Sequence, residues 1–427
     1  MHKQYYSLID ETLYSEKLDN GLSVYLLPRP YMSKTYGIFT TNYGSIDRTF
    51  TPIGKRQKIT VPDGVAHFLE HKLFEKEDRD VFTDFSKYGA SVNAYTSFTK
   101  TAYLFSATSH IKNNVNILLD FVQEPYFSDK SVEKEKGIIA QEIKMYDDQP
   151  NWRSFMGTIQ ALFHIHPITI DIAGTVKSIS SITKEDLYNS YHTFYHPENM
   201  ILFIAGRFDV DEMFELIQKN QAEKTFSSFT KIDSEYPEEP NHVKIKEHTI
   251  MMPVSVPKCT VGIKESHQLL HGEAFLKKDL LQTMLLDHYF SEGGHCYERL
   301  YDAQLIDDSF SYQSTLDKNF GYSLISSNTE NPELFSEKVI ACLKSIKAEN
   351  ITVEALERMK RKKIGQLLRS MNSLEYIANN YIHYTFQGID FFKMIPAIQA
   401  ITRQDIADFL ENWIVDERIA ICTIMPQ

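Results

Sequence analysis

The chain has 427 residues, 42% hydrophobic and 24% charged, an ordinary globular composition with enough apolar side chains to build cores without disulfide or metal staples. At roughly 100–200 residues per domain it holds two to four domains. Lys and Arg total 45 against 57 Asp and Glu, and a net charge of −12 argues against nucleic acid or an anionic membrane as the main partner.

Residues 1–6 show neither an apolar core nor a small-residue cleavage site, so no signal peptide is expected. Asp19-Asn20-Gly21 is a turn signal, and residues 22–27 after it read as a strand. Residues 64–74 read as a helix, 91–97 and 101–107 as two strands around a turn, and 111–123 and 129–148 as helices. The longest apolar stretch, near Met200–Ala205, falls far short of the ~20 residues a membrane span needs. Strands and helices in this order predict an α+β fold with mostly antiparallel sheets, and no Gly-rich phosphate loop interrupts it. Cys259, Cys296, Cys342 and Cys422 are scattered, with no Cys-x-x-Cys pair, which suits buried thiols in a reducing cytoplasm.

The chain repeats itself. Ile182-Thr183-Lys184-Glu185-Asp186-Leu187 and Ile401-Thr402-Arg403-Gln404-Asp405-Ile406 lie 219 residues apart. At the same offset, the run from Asn199 to Ile204 falls on that from Arg418 to Thr423. Each pair reads as a capped helix followed by a buried strand. Ser131-Val132-Glu133 and Thr352-Val353-Glu354 open long charged helices at nearly that offset. Two homologous domains are therefore expected, at 1–225 and 245–427. They are joined by a polar linker (226–244) that carries Pro237-Glu238-Glu239-Pro240.

His67-Phe68-Leu69-Glu70-His71 is the sharpest local signal. Residues four apart share a helix face, so His67 and His71 can grip one ion, and Glu70 reaches a water beside it. Neutral imidazoles suit Zn²⁺, and a catalytic zinc takes three protein ligands with one position open. The His-x-x-Glu-His order is the inverzincin motif. The third ligand is expected on the later helix, where Glu142 stands in the apolar run Gly137-Ile138-Ile139-Ala140-Gln141-Glu142-Ile143, an expensive place for an unpaired carboxylate. Glu135, two turns earlier on the same face, can orient a ligating histidine. His164, His166, His192 and His196 carry no such pattern and read as structural.

These motifs, together with Glu135-Lys136-Gly137-Ile138-Ile139-Ala140-Gln141-Glu142, Leu18-Asp19-Asn20-Gly21-Leu22, residues 89–97, Tyr195-His196-Pro197-Glu198-Asn199-Met200 and Gly293-Gly294, resemble the insulinase-like (pitrilysin) zinc metallopeptidases, in particular bacterial two-domain members of about this length. The resemblance spans essentially the whole chain. It implies the fold of the mitochondrial processing peptidases, two homologous halves each with a sheet backed by helices, and two such chains pairing around a peptide-degrading chamber. It implies His67, His71 and Glu142 as ligands of one zinc ion, Glu70 as general base and Glu135 as the second acidic position on that helix. Asn93, Ala94 and Tyr95 match the edge strand that holds an extended peptide, a mode that needs only backbone donors and acceptors.

The chain also departs from the family pattern. His71 and Glu142 are a few residues closer in sequence than is common. The second half has no His-x-x-Glu-His, and Lys363 falls near the repeat position of Glu142. The substrate-binding Arg and Tyr expected there are missing: Arg299 is displaced, and an Asp stands near the Tyr position in the stretch Arg299–Asp307. A paralogous metal-free subunit, or a second copy in a homodimer, is expected to supply those groups. Unfolded peptides, leader peptides of ribosomally made natural products among them, are the substrate class the resemblance suggests. The rival readings are a non-catalytic scaffold subunit of the same fold, and a lyase that uses the same motif with Cys as third ligand. The intact ligand set weighs against the first, and chain length together with the Glu142 helix against the second.

Overall fold

The computed structural model describes residues 1–266, 270–317 and 319–427. Contacts divide the chain into two units: Met1–Ile143 with Ile170–Glu235 and Ser370–Phe386, and Lys144–Thr169 with Tyr236–Arg369 and Gln387–Gln427.

The first unit is built on a seven-stranded sheet. Across it the order is His2–Tyr6, Glu11–Lys17, Ser23–Pro28, Met200–Gly206, Thr35–Thr41, Thr101–Ala107 and Ser91–Thr96. Ser23–Pro28 and Met200–Gly206 run parallel, and every other pair is antiparallel. Alternation along the strands sends Val24, Leu26, Phe39, Tyr103, Phe105, Leu202 and Ile204 into one core with Phe68 and Leu69 of the helix Val65–Leu73 and with Leu118 and Val122 of Ile111–Gln123. On the other face Tyr25 and Phe203 meet Tyr381 of the helix Leu374–Phe386, with ring centroids 4.9 and 5.1 Å away.

The second unit repeats this logic on five strands, in the order Glu247–Met252, Ile419–Pro426, Lys258–Lys264, Gly321–Asn328, Ser311–Leu316. Here the first and last strands in sequence are the parallel pair. The helix Pro150–Leu162 covers one face: Ser154 and Thr260 share a hydroxyl–hydroxyl bond of 2.8 Å, and a methyl on Gly157 would strike Ile250 and Cys422. The repeat read from sequence is visible in local chemistry. Thr183 and Asp186 form a reciprocal capping box, and so do Thr402 and Asp405 at the homologous helix start.

The units exchange two helices across the division proposed at residues 225–245. Pro150–Leu162 serves the second sheet and Leu374–Phe386 the first. An apolar stripe tells a helix to bury one face and does not name the sheet. The stretch 226–244 is mostly irregular, yet it is anchored. Ser234 bridges Phe50 in the first unit. In the second, Glu239 is buried, accepts the backbone N–H groups of His164, Ile165 and His166, and pairs with Lys264 at 2.6 Å. All four cysteines are free and buried. Among the described residues no helix is long and apolar enough to cross a membrane.

Candidate metal centre

The helix Val65–Leu73 is short and placed from both sides. Gly64, just before it, has φ 93°, a conformation glycine takes without strain, and a Cβ there would lie 2.4 Å from the Ala173 carbonyl oxygen. Val65, Phe68, Leu69 and Leu73 fill the core, so helical spacing turns His67, Glu70 and His71 to the opposite side. The longer helix Asp129–Asp147 buries Val132, Glu135, Ile139 and Ile143. The apolar run around Glu142 is thus buried on one face only. Ile138, one turn before Glu142, is exposed, and Glu142 itself is partly open. That carboxylate faces the histidines across the gap between the two helices.

His67 Nε2 lies 3.7 Å from one Glu142 oxygen and His71 Nε2 lies 3.5 Å from the other. One ligand atom from each of the three residues falls within 4.8 Å of the other two, the single such group of three or more among the described residues. A tetrahedral zinc with bonds near 2.0–2.1 Å holds its ligand atoms about 3.3–3.5 Å apart, and both histidine–Glu142 separations are close to that spacing. His67 is the most enclosed, its side chain 11% exposed against 26% for His71 and 24% for Glu142. The open side of the group therefore lies toward the latter two.

Electrostatics divides the histidines. Burial, then the neighbouring His71, pushes the His67 pKa down to about 3, so the ring is neutral and its Nε2 lone pair is available. Its Nδ1 is buried without a partner. For His71, burial opposes the charged form, but Glu135, Glu70 and Glu142 outweigh it and its pKa is raised. Glu135 stands 3.0 Å from His71 Nδ1, which leaves Nε2 directed at Glu142. Three carboxylates around two imidazoles form an acceptor-rich pocket that a dication would neutralise.

Glu70 is largely enclosed, and burial raises its pKa despite a Thr96 hydroxyl that donates to its Oε2 at 2.6 Å. Behind it, the buried hydroxyls of Tyr103 and Tyr195 bond each other at 2.9 Å. Thr96, the last residue of Ser91–Thr96, had no signal of its own in the sequence, since only the packed sheet brings it to Glu70.

The strand Ser91–Thr96 is the outer edge of the seven-stranded sheet. Ser97 donates to the Lys100 carbonyl at 2.8 Å and closes the hairpin. Because hydrogen-bonded and open pairs alternate, the backbone groups of Val92, Ala94 and Thr96 face outward. The Ala94 N–H is held at 2.9 Å by the side chain of Asn93. Ala94 and Thr96 face the core side, whereas Asn93 and Tyr95 point to the other face, where the Tyr95 hydroxyl donates to Asn379 at 2.5 Å. Of the three residues expected to hold substrate, Ala94 lies at the outward edge with its N–H bonded to the Asn93 side chain, and Tyr95 directs its hydroxyl to Asn379.

The second unit carries no counterpart among the described residues. Lys363 donates to Thr283 at 3.1 Å, with its pKa lowered by burial. Arg299 is exposed, and Asp307 accepts from the backbone and hydroxyl of Ser309 ahead of the strand Ser311–Leu316.

A repeated α+β unit, one of whose copies gathers an inverzincin motif and a distant glutamate, defines a class of metallopeptidase folds. The chain belongs to the insulinase family of peptidases, family M16: residues 52–176 match the insulinase (peptidase family M16) profile and residues 181–363 the peptidase M16 inactive domain. It is 47% identical over 422 residues to YmfH of Bacillus subtilis, named as an uncharacterised zinc protease, covering 99% of this chain and 98% of that one. An M16-like chain from Alicyclobacillus acidocaldarius superposes with a TM-score of 0.94 at 40% identity, over 98% and 99% of the two chains. A protease from Helicobacter pylori shares the fold at TM-score 0.83 and 17% identity, over 97% of this chain and 99% of that one. The family and the two-domain α+β architecture expected from the motifs are therefore established.

Proposed function

We propose that the chain is a zinc-dependent endopeptidase that cleaves extended, unfolded peptides. The observation that carries this reading is the convergence of His67, His71 and Glu142 on one tetrahedral-sized gap beside Glu70. Held there, zinc would polarise the scissile carbonyl and make a water acidic at neutral pH.

The protein's own groups do the rest. The edge strand Ser91–Thr96 receives the peptide backbone through the outward groups of Val92 and Ala94, an arrangement that tolerates many sequences. Glu135 fixes the ring of His71. Glu70 takes a proton from the attacking water and delivers it to the leaving amine nitrogen. Enclosure raises its proton affinity, which suits both halves of that task. The zinc-protease name carried by the Bacillus subtilis relative supports the reading, and so does the intact ligand set, which a scaffold subunit would not need.

We further propose that catalysis takes place in a chamber closed by a paralogous metal-free subunit, or by a second copy of this chain. The support is the second unit, where Lys363 falls near the position repeating Glu142 and no Arg–Tyr pair stands at the expected place. A reducing cytoplasm as the site of action fits the four free, buried cysteines.

Mass spectrometry of peptide digests tests the proposal, run on the chain alone and with a candidate partner, before and after chelation. Cleavage should stop on chelation and return with zinc, and Glu70→Gln should keep one zinc per chain while losing turnover by at least about a hundredfold. Cleavage that survives chelation, or a Glu70→Gln variant at wild-type rate, overturns it.

A further inference from the structure

We infer that Thr96 is a positioning residue for Glu70 and that it fixes which peptide bond of a docked strand meets the base. The inference rests on the peptidase reading above and adds a residue that neither the motif nor the metal group contains.

The 2.6 Å bond from the Thr96 hydroxyl to Glu70 Oε2 has the length expected for a hydroxyl donating to a carboxylate. One Glu70 oxygen is thereby tied to the edge strand, and the other is left for the reacting water. Thr96 is itself held in place. It is β-branched and so stiff at χ1. Directly across the hairpin lies the fully buried Thr101, whose hydroxyl sits 3.4 Å from that of Thr96 and donates to the Tyr43 carbonyl at 2.9 Å. With that neighbouring proton committed elsewhere, the Thr96 proton goes to Glu70.

The register follows from the alternation of backbone groups. Val92, Ala94 and Thr96 present the outward amides of the edge strand. All three face the place of an added strand; the Ala94 N–H already bonds the Asn93 side chain, and it is at Thr96, through its hydroxyl, that the edge strand is tied to Glu70. A peptide that pairs along Val92 and Ala94 meets the carboxylate where its next backbone partner would stand. The peptide bond arriving opposite Thr96 is thus the one presented to the base. Thr96 links the strand that reads the backbone to the group that moves the proton, and a base displaced by 1 Å can cost about a hundredfold in rate.

The test compares Thr96→Val, which keeps shape and loses the hydroxyl, with Thr96→Ser, which keeps the hydroxyl, on one unstructured peptide with the zinc-loaded full chain and whatever partner activity requires. Thr96→Val should lower kcat by about 10–100-fold, leave KM within about threefold, and scatter the product termini. Zinc stoichiometry and thermal midpoint should stay at wild-type values, and Thr96→Ser should recover kcat to within about threefold of wild type. If valine is not tolerated in the fold, Thr96→Ala against Thr96→Ser carries the same comparison. A hydroxyl-free variant with wild-type kcat and product termini, or a serine variant as slow as the hydroxyl-free one, overturns the inference. A wild-type chain that cleaves nothing sinks the peptidase reading instead.

Discussion

Glu135 and His71 meet at 3.0 Å across two helices, 64 residues apart in sequence, and this contact turns the free nitrogen of His71 toward Glu142. A carboxylate behind a ligating imidazole fixes its tautomer and raises its basicity. Glu135→Ala should therefore weaken zinc binding about 10–100-fold, with Glu135→Gln in between because its amide oxygen still accepts the Nδ1 proton. Competition titration against a chelator of known affinity measures this directly, and unchanged affinity in the alanine variant would remove Glu135 from the centre.

Ala94 tests strand addition without touching the chemistry. Its N–H faces outward from the sheet edge, so proline there gives up the bond to the Asn93 side chain but none to the neighbouring strand and is the kind of edge proline that sheets accept. The ring would occupy the place of an incoming carbonyl. Ala94→Pro should raise KM about tenfold or more, the worth of one good backbone hydrogen bond, while zinc content and thermal midpoint hold. Steady-state kinetics on a short unstructured peptide checks it; an unaltered KM rules out docking at this edge.

Glu239 gives the second unit an acid-sensitive anchor. Burial opposes its charge, but the backbone N–H groups of His164 and Ile165 and the ammonium of Lys264 outweigh this and hold its pKa below the usual carboxylate range. Because the folded-state pKa is depressed, the contribution is fully present above the unfolded value and is lost as pH falls through the folded one. Glu239→Gln should cost about 3–5 kcal/mol at pH 7, since it leaves Lys264 buried without its partner. The gap between wild type and variant should narrow as pH drops from 5 toward 3. Denaturant titrations across that range read it, and a gap independent of pH would assign the stabilisation to packing.

Much of this protein can be read from its sequence, and the legible parts have a common cause. Capping at Thr183 and Thr402, the Asp19-Asn20-Gly21 turn and the three-four spacing of His67, Glu70 and His71 are chemistry between residues a few positions apart. They hold wherever the segment ends up. The internal repeat was legible because both copies use the same local signals. What only the tertiary structure decided are meetings between distant segments. These include the gap between Glu142 and the two histidines, the hydroxyl of Thr96 on Glu70, the bond of Tyr95 to Asn379, and the exchange of Pro150–Leu162 and Leu374–Phe386 between sheets. Local pattern fixes which face of an element is buried. The partner that face finds depends on how whole sheets and helices pack, and no short window of sequence holds that information.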